Sequence, residues 1–163
     1  MPRVVIFGNS GSGKSTLAAE KAELLDCAHL DLDTVAWDPE ITPPTRLSLA
    51  ASAKLMAPFL EDNETWVIEG CYADLLELVI PGCTEMVFLN PGMAVCAANC
   101  RNRPWEPHKY DSPEEQEANL DMLLNWVEQY TQRTDEVSLQ AHRRLFDRFS
   151  GVKREYTSNK RQA

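Results

Sequence analysis

Residues 3–16 read RVVIFGNSGSGKST. The run RVVIF, residues 3–7, is short, apolar and β-branched, which predicts a buried strand. From Lys14 to Asp26 the pattern turns helical. Between the two lie Gly8, Gly11 and Gly13. Glycine permits positive φ and lets backbone N–H groups approach an anion closely. A helix that starts where such a loop ends adds its dipole and its unpaired N–H groups. The stretch therefore predicts a phosphate cradle between a strand and a helix.

The spacing Gly8-x-x-x-x-Gly13-Lys14-Ser15 matches the P-loop pattern in full. Gly8, Asn9, Ser10, Gly11, Ser12, Gly13, Lys14, Ser15 and Thr16 are the expected nucleotide-binding residues. Lys14 is expected to reach the β- and γ-phosphates, the Ser15 hydroxyl to bind Mg²⁺, and Thr16 to touch the α-phosphate. No N-K-x-D motif for guanine is present, so ATP is taken as the default nucleotide.

The rest of the chain alternates in the same way. Residues 27–33 (CAHLDLD), 65–70 (TWVIEG), 85–90 (EMVFLN) and 152–157 (VKREYT) predict strands. Between them, helices are expected over about 45–60 with Thr45 as a possible cap, 72–80, 93–103, 112–130 and 134–149. Leu120, Leu123, Val127 and Tyr130 share one face, and Leu139, His142, Phe146 and Phe149 another. Alternating strands and helices predict a three-layer α/β/α fold with a five-stranded parallel sheet. The 163 residues suit one domain, 1–163.

Composition narrows the function. The net charge of −9 argues against an extended nucleic-acid surface. No apolar run approaches membrane-spanning length, and the N-terminus does not read as a signal peptide, so a cytoplasmic protein is expected. Cys27, Cys71, Cys83, Cys96 and Cys100 form no C-x-x-C pair. Cys96 and Cys100 can share a helix face, but buried free thiols are the expectation.

Acidic residues gather where the first strands end. Alternation places Asp31 and Asp33 on one side of the second strand, at the end where open α/β sheets bind ligands. One can hold Mg²⁺ through water; the other can orient or deprotonate an acceptor hydroxyl. Glu69 closes the third strand as a second Mg²⁺-side acid. In the segment 99–110, Arg101, Arg103 and Lys109 stand against Glu106 alone. Arginines closing over a transferring phosphoryl group stabilise its charge. Residues 101–113 thus predict a lid, mobile when empty because Arg101 and Arg103 lack fixed partners. Arg46 can hold an anionic acceptor group or lie on the surface. Trp37 and Tyr72 can flank an acceptor ring or anchor the core. Arg133 can point toward the site. Arg143, Arg144 and Arg148 read as a solvated helix face, and His29 as a buried structural histidine.

Leu32-Asp33…Trp37 and Trp66…Glu69-Gly70…Tyr72, following this P-loop, resemble the small P-loop kinases related to adenylate and shikimate kinases. The closest likeness is the subgroup labelled DNA topology modulation protein, or FlaR-like. The resemblance spans nearly the whole chain. It implies a nucleoside-monophosphate-kinase-like fold, an acceptor-binding segment over about 34–62 and a lid over about 101–113. It also implies Mg-ATP-dependent phosphoryl transfer to a small molecule. Asp33 then lies on the acceptor side, Asp31 and Glu69 near Mg²⁺, and Arg101 and Arg103 in the lid. Strand three lacks the D-G-x-P-R arginine that grips a nucleoside monophosphate. A nucleoside-monophosphate kinase and a nucleotide switch acting on a partner remain the alternatives.

Overall fold

The computed structural model describes residues 1–159. Five parallel strands build the central sheet: β1 (Arg3–Gly8), β2 (Ala28–Asp31), β5 (Trp66–Gly70), β6 (Glu85–Leu89) and β7 (Val152–Tyr156). Their order is β2-β5-β1-β6-β7. β3 (Trp37–Asp38) and β4 (Thr45–Arg46) pair as a separate antiparallel ribbon. The helices are α1 (Lys14–Leu25), α2 (Asp33–Ala36), α3 (Leu49–Asp62), α4 (Ala73–Val79), α5 (Met93–Arg101), α6 (Pro113–Ala118), α7 (Leu120–Glu128) and α8 (Leu139–Arg148). No described helix is long and apolar enough to cross a membrane.

The period-two alternation of β1 sorts its side chains between two layers. Val4 and Ile6 pack with Leu17, Ala18 and Ala22 of α1. Val5 and Phe7 face the other way, into the larger core with Met56 of α3, Leu75 and Leu76 of α4 and Leu145 of α8. A third cluster joins Cys96 and Cys100 of α5 to Val127 of α7, backed by Leu120, Leu123 and Leu124. The three-layer α/β/α arrangement with a five-stranded parallel sheet agrees with the sequence expectation.

Several boundaries differ, each for a local reason. The second strand stops at Asp31, and Asp33 opens α2 instead of continuing the strand. The Asp31 side chain accepts from the Asp33 N–H (2.9 Å), and Thr34 donates to the Asp31 carbonyl (2.7 Å). These bonds offer the backbone a turn in place of the ladder. Thr45 does not cap α3; Ser48 does, accepting from the Ala51 N–H. The guanidinium of Arg46 is bound to Asp74 and Glu136, which draws residues 45–46 into β4. The helix expected over 112–130 breaks at Asn119, whose side chain donates to the Tyr110 hydroxyl. The helix expected from 134 begins at Leu139 with Ser138 as its cap.

His29 is exposed, contrary to expectation. The buried histidine is His142, with no exposed surface. Its Nε2 lies 2.7 Å from the Cys71 carbonyl, which can only accept. Nε2 therefore carries the proton, and Nδ1 accepts from the Tyr130 hydroxyl at 2.6 Å. Arg143 is not a free surface charge either; it makes two hydrogen bonds to Glu155, at 2.7 and 2.8 Å, and lies over the Phe88 ring.

Candidate active site

The loop between β1 and α1 has the conformation its glycines allow. Gly11 has φ +79° and Gly13 φ +98°, values that disfavour any side chain. A Cβ on Gly11 would also run into the Cys96 carbonyl on α5. The outward carbonyls of the loop are held by amides: Asn99 donates to Gly11 (2.7 Å) and Asn159 to Ser12 (3.0 Å). Asn9 donates to the Val127 carbonyl and accepts from the Ser10 N–H. These clamps fix the loop from outside. The first turn of the 12-residue α1 keeps its N–H groups for a ligand. Lys14 folds back onto the Asn9 carbonyl at 2.8 Å. Ser15 and Thr16 are exposed at the mouth of the cradle.

The Ser15 hydroxyl faces the Glu69 carboxylate at 3.0 and 3.1 Å. Glu69 is fully buried, and Asp31 sits beside it as its register partner on β2. Burial, and then the charge of Asp31, push the Glu69 carboxyl up to about 8, against the pull of Lys14. Among the described residues, no three His, Cys, Asp or Glu side chains converge on a metal position by themselves. One hydroxyl and two neighbouring carboxylates are hard oxygen donors that suit Mg²⁺, an ion that keeps waters and shares phosphate ligands. The residues present therefore fit Mg²⁺ brought by a nucleotide.

The raised Glu69 carboxyl makes stability depend on pH. Between about 4.5 and 8 the folded chain holds a proton there that the unfolded chain has lost, so this contribution falls as pH rises. His142 opposes it at the acid end, because burial lowers that histidine to about 4 and stability then drops below pH 6.5. From pH 6.5 to 8 only the Glu69 term of these two remains. Chemical denaturation without metal or nucleotide should show stability falling across that window. Glu69→Gln should flatten the fall; an unchanged slope in the variant would rule out Glu69 as its source.

Opposite the cradle stands a second group. Tyr72 donates to Asp33 Oδ1 at 2.5 Å and accepts from Trp37 Nε1 at 2.8 Å. Lys109 donates to Asp33 Oδ2 at 2.7 Å, and also lies 3.7 Å from Asp31 and 3.4 Å from Glu106. Burial works against the Asp33 charge, but Lys109, the Tyr72 hydroxyl and Lys14 together hold its carboxyl below the usual range. Lys109 is shifted up: Asp33 and Asp31 more than offset its own burial. Arg46 stacks on the Tyr72 ring with its guanidinium carbon 4.7 Å from the centroid.

The segment 101–113 covers this group, but not by the expected residues. Arg103 pairs with Glu106 at 3.2 Å, so the expectation that it lacks a fixed partner is corrected. Arg101 is exposed at the end of α5. Lys109 alone reaches across to Asp33. The lid is also a structured loop: Gln116 binds the Glu106 N–H and the carbonyls of Arg103 and Pro104, and Trp105 donates to the Tyr110 carbonyl. Arg133 lies over Trp126 and pairs with Asp135. Sequence reading counted Lys109 within a basic island without giving it a role. It had no signal for Asp74 and Glu136, the partners of Arg46. Cys71, Cys96 and Cys100 are buried free thiols, and burial pushes the Cys71 thiol up to about 12, so it supplies no thiolate.

No family model matches the chain, and no curated protein matches it. Solved structures similar to it include a gluconokinase from Sinorhizobium meliloti 1021, 21% identical over 94% of this chain and 82% of that one, with a TM-score of 0.46. A shikimate kinase from Bacteroides thetaiotaomicron is 19% identical over 90% of this chain and 97% of that one, at a TM-score of 0.49. A sugar kinase from Janibacter sp. HTCC2649 is 18% identical over 95% and 85%, also at 0.49. The likeness is one of fold, and the activities in those names are those proteins' own.

Proposed function

We propose that this chain is a phosphotransferase that moves the γ-phosphoryl group of Mg-ATP to a hydroxyl of a small molecule. The observation that carries the reading is Asp33: a carboxylate held by Tyr72 and Lys109, within the electrostatic reach of the P-loop lysine Lys14. A phosphate cradle alone serves any nucleotide-binding protein. A carboxylate fixed opposite it suits an acceptor hydroxyl.

Lys14 and the loop N–H groups hold the β- and γ-phosphates. Ser15 would hold Mg²⁺, with Asp31 and Glu69 beside it, and the ion would supply charge that offsets the phosphates. Asp33 orients the acceptor hydroxyl. The hydroxyl oxygen bonds to the γ-phosphorus as the bond to the ADP oxygen breaks, ADP keeps the electron pair, and the hydroxyl proton passes to Asp33. Lys109 is the lid cation that reaches Asp33, and Arg101 and Arg103 complete the basic set of the lid. Trp37 and Tyr72 wall the acceptor side, and Arg46 holds that wall in place.

Incubation with Mg-ATP labelled at the γ-phosphate, against a panel of alcohols, sugars and nucleosides, tests the reading. Label should appear in an acceptor, and Lys109→Met should cut the rate at least about tenfold. Label recovered only as inorganic phosphate, whatever alcohol is offered, would make the chain a hydrolysing switch instead.

A further inference from the structure

We infer that the acceptor is a hydroxylated ring compound that carries no carboxylate or phosphate. This rests on the phosphotransferase reading above and sharpens it.

The two cations that touch the Asp33–Tyr72 group, Lys109 and Arg46, are already overmatched. Arg46 donates to Glu136 at 2.7 Å and to Asp74 at 3.0 Å, and its Nε binds the Ala36 carbonyl at 3.2 Å. One guanidinium thus faces two carboxylates. Lys109 lies 2.7 Å from Asp33 and 3.7 Å from Asp31, again one cation between two carboxylates. Glu106, its third neighbour, is shared with Arg103. Each group of three carries a net charge of −1. Sites built for a carboxylate or phosphate present an arginine fork or a free ammonium. Here the fork is occupied and the ammonium is shared. At either group an anionic acceptor would meet a field of its own sign and a cation already bound to carboxylates. Mg²⁺ does not reverse the balance, since it arrives on a triphosphate that carries more negative charge than the ion offsets.

The remaining wall suits an uncharged ring. Trp37 is 36% exposed, and its indole is fixed through Nε1 to the Tyr72 hydroxyl. The two rings meet edge to face at 6.2 Å. A fixed, open aromatic plate beside a carboxylate offers a stacking face for the C–H side of a sugar or for a nucleobase, and an acceptor for its hydroxyl.

Matched acceptors test this. D-glucose, D-glucosamine and D-glucuronate form one set, D-ribose and ribose 5-phosphate a second, adenosine and AMP a third. Each is offered with Mg-ATP, and the panel is then widened to other ring alcohols in the same paired form. In every set that reacts, a member without an anionic group should be phosphorylated at least tenfold faster than the anionic one. Sugar and nucleoside sets tell the two ring sources apart. A faster anionic member would overturn the inference while leaving the phosphotransferase reading intact. No transfer to any member, with Mg-ATP binding confirmed by calorimetry, would sink the phosphotransferase reading and the inference with it. Two variants probe the residues themselves. Glu136→Gln, at a side chain 40% exposed, frees part of Arg46 and should move the rate ratio toward the anionic member by tenfold or more. Trp37→Leu should raise the acceptor KM about tenfold while leaving Mg-ATP affinity unchanged. A constant ratio in the first variant, or an unchanged KM in the second, would refute the charge and stacking assignments respectively.

Discussion

Lys14→Ala is expected to abolish tight Mg-ATP binding and leave the fold in place. The ammonium would contact two phosphates, and charge-assisted bonds of this kind contribute about 1.5–3 kcal/mol each. Losing both weakens binding by roughly two to four orders of magnitude. The folded chain loses little. Among the described residues the Lys14 ammonium donates to the Asn9 carbonyl alone, and that carbonyl still accepts from the Ser12 N–H at 3.1 Å. No buried group is left unpaired, and Gly11 and Gly13 keep their positive φ without help from the side chain. Calorimetric titration with Mg-ATP checks the first half and thermal unfolding the second. Wild-type affinity in the variant would remove the phosphate-loop assignment. Lost affinity together with a collapsed melting temperature would show instead that Lys14 supports packing.

The phosphate loop was legible because its chemistry is local: strand, glycines and helix lie within consecutive residues, and each is fixed by its own backbone. The sheet was legible for a related reason. Its three central strands, β5, β1 and β6, are short apolar runs, and β5 is buried at every position from Trp66 to Gly70. The cluster around Asp33 was legible only in part. Asp33, Trp37 and Tyr72 were singled out, and they do form one hydrogen-bonded group. Alternation placed Asp33 on a strand, whereas the Asp31 side chain ends that strand and turns Asp33 into the first residue of α2. Lys109 meets Asp33 across 76 residues of sequence, and Arg46 meets Glu136 across 90. Charge composition marks such residues as basic or acidic but carries no information about which will meet. The lid was expected to be mobile because Arg101 and Arg103 lack fixed partners. Its anchors are polar and come from elsewhere, from Asp33, Gln116 and Asn119.

Asp33→Asn should cripple phosphoryl transfer far more than nucleotide binding. The carboxylate has two jobs, one on each oxygen: Oδ1 accepts from Tyr72 and Oδ2 from Lys109. An amide keeps the shape and one acceptor. Its oxygen would turn to Lys109, since an NH₂ group cannot accept from an ammonium, and its nitrogen would face the Tyr72 hydroxyl. Tyr72 already accepts from Trp37, so its own proton would lose its partner. The charge that orients the acceptor hydroxyl and takes its proton would be gone, and such groups contribute about 10²–10⁴-fold to rate. Nucleotide affinity should stay within about threefold of wild type, because one exposed or half-buried charge at this remove is worth little at physiological ionic strength. Steady-state kinetics with the acceptor found in the labelling experiment, alongside a Mg-ATP titration, separates the two effects. Transfer within tenfold of wild type would reduce Asp33 to the helix-start residue of α2. A parallel loss of nucleotide affinity would place it on the phosphate side, with Lys109 closing over ATP and not over the acceptor.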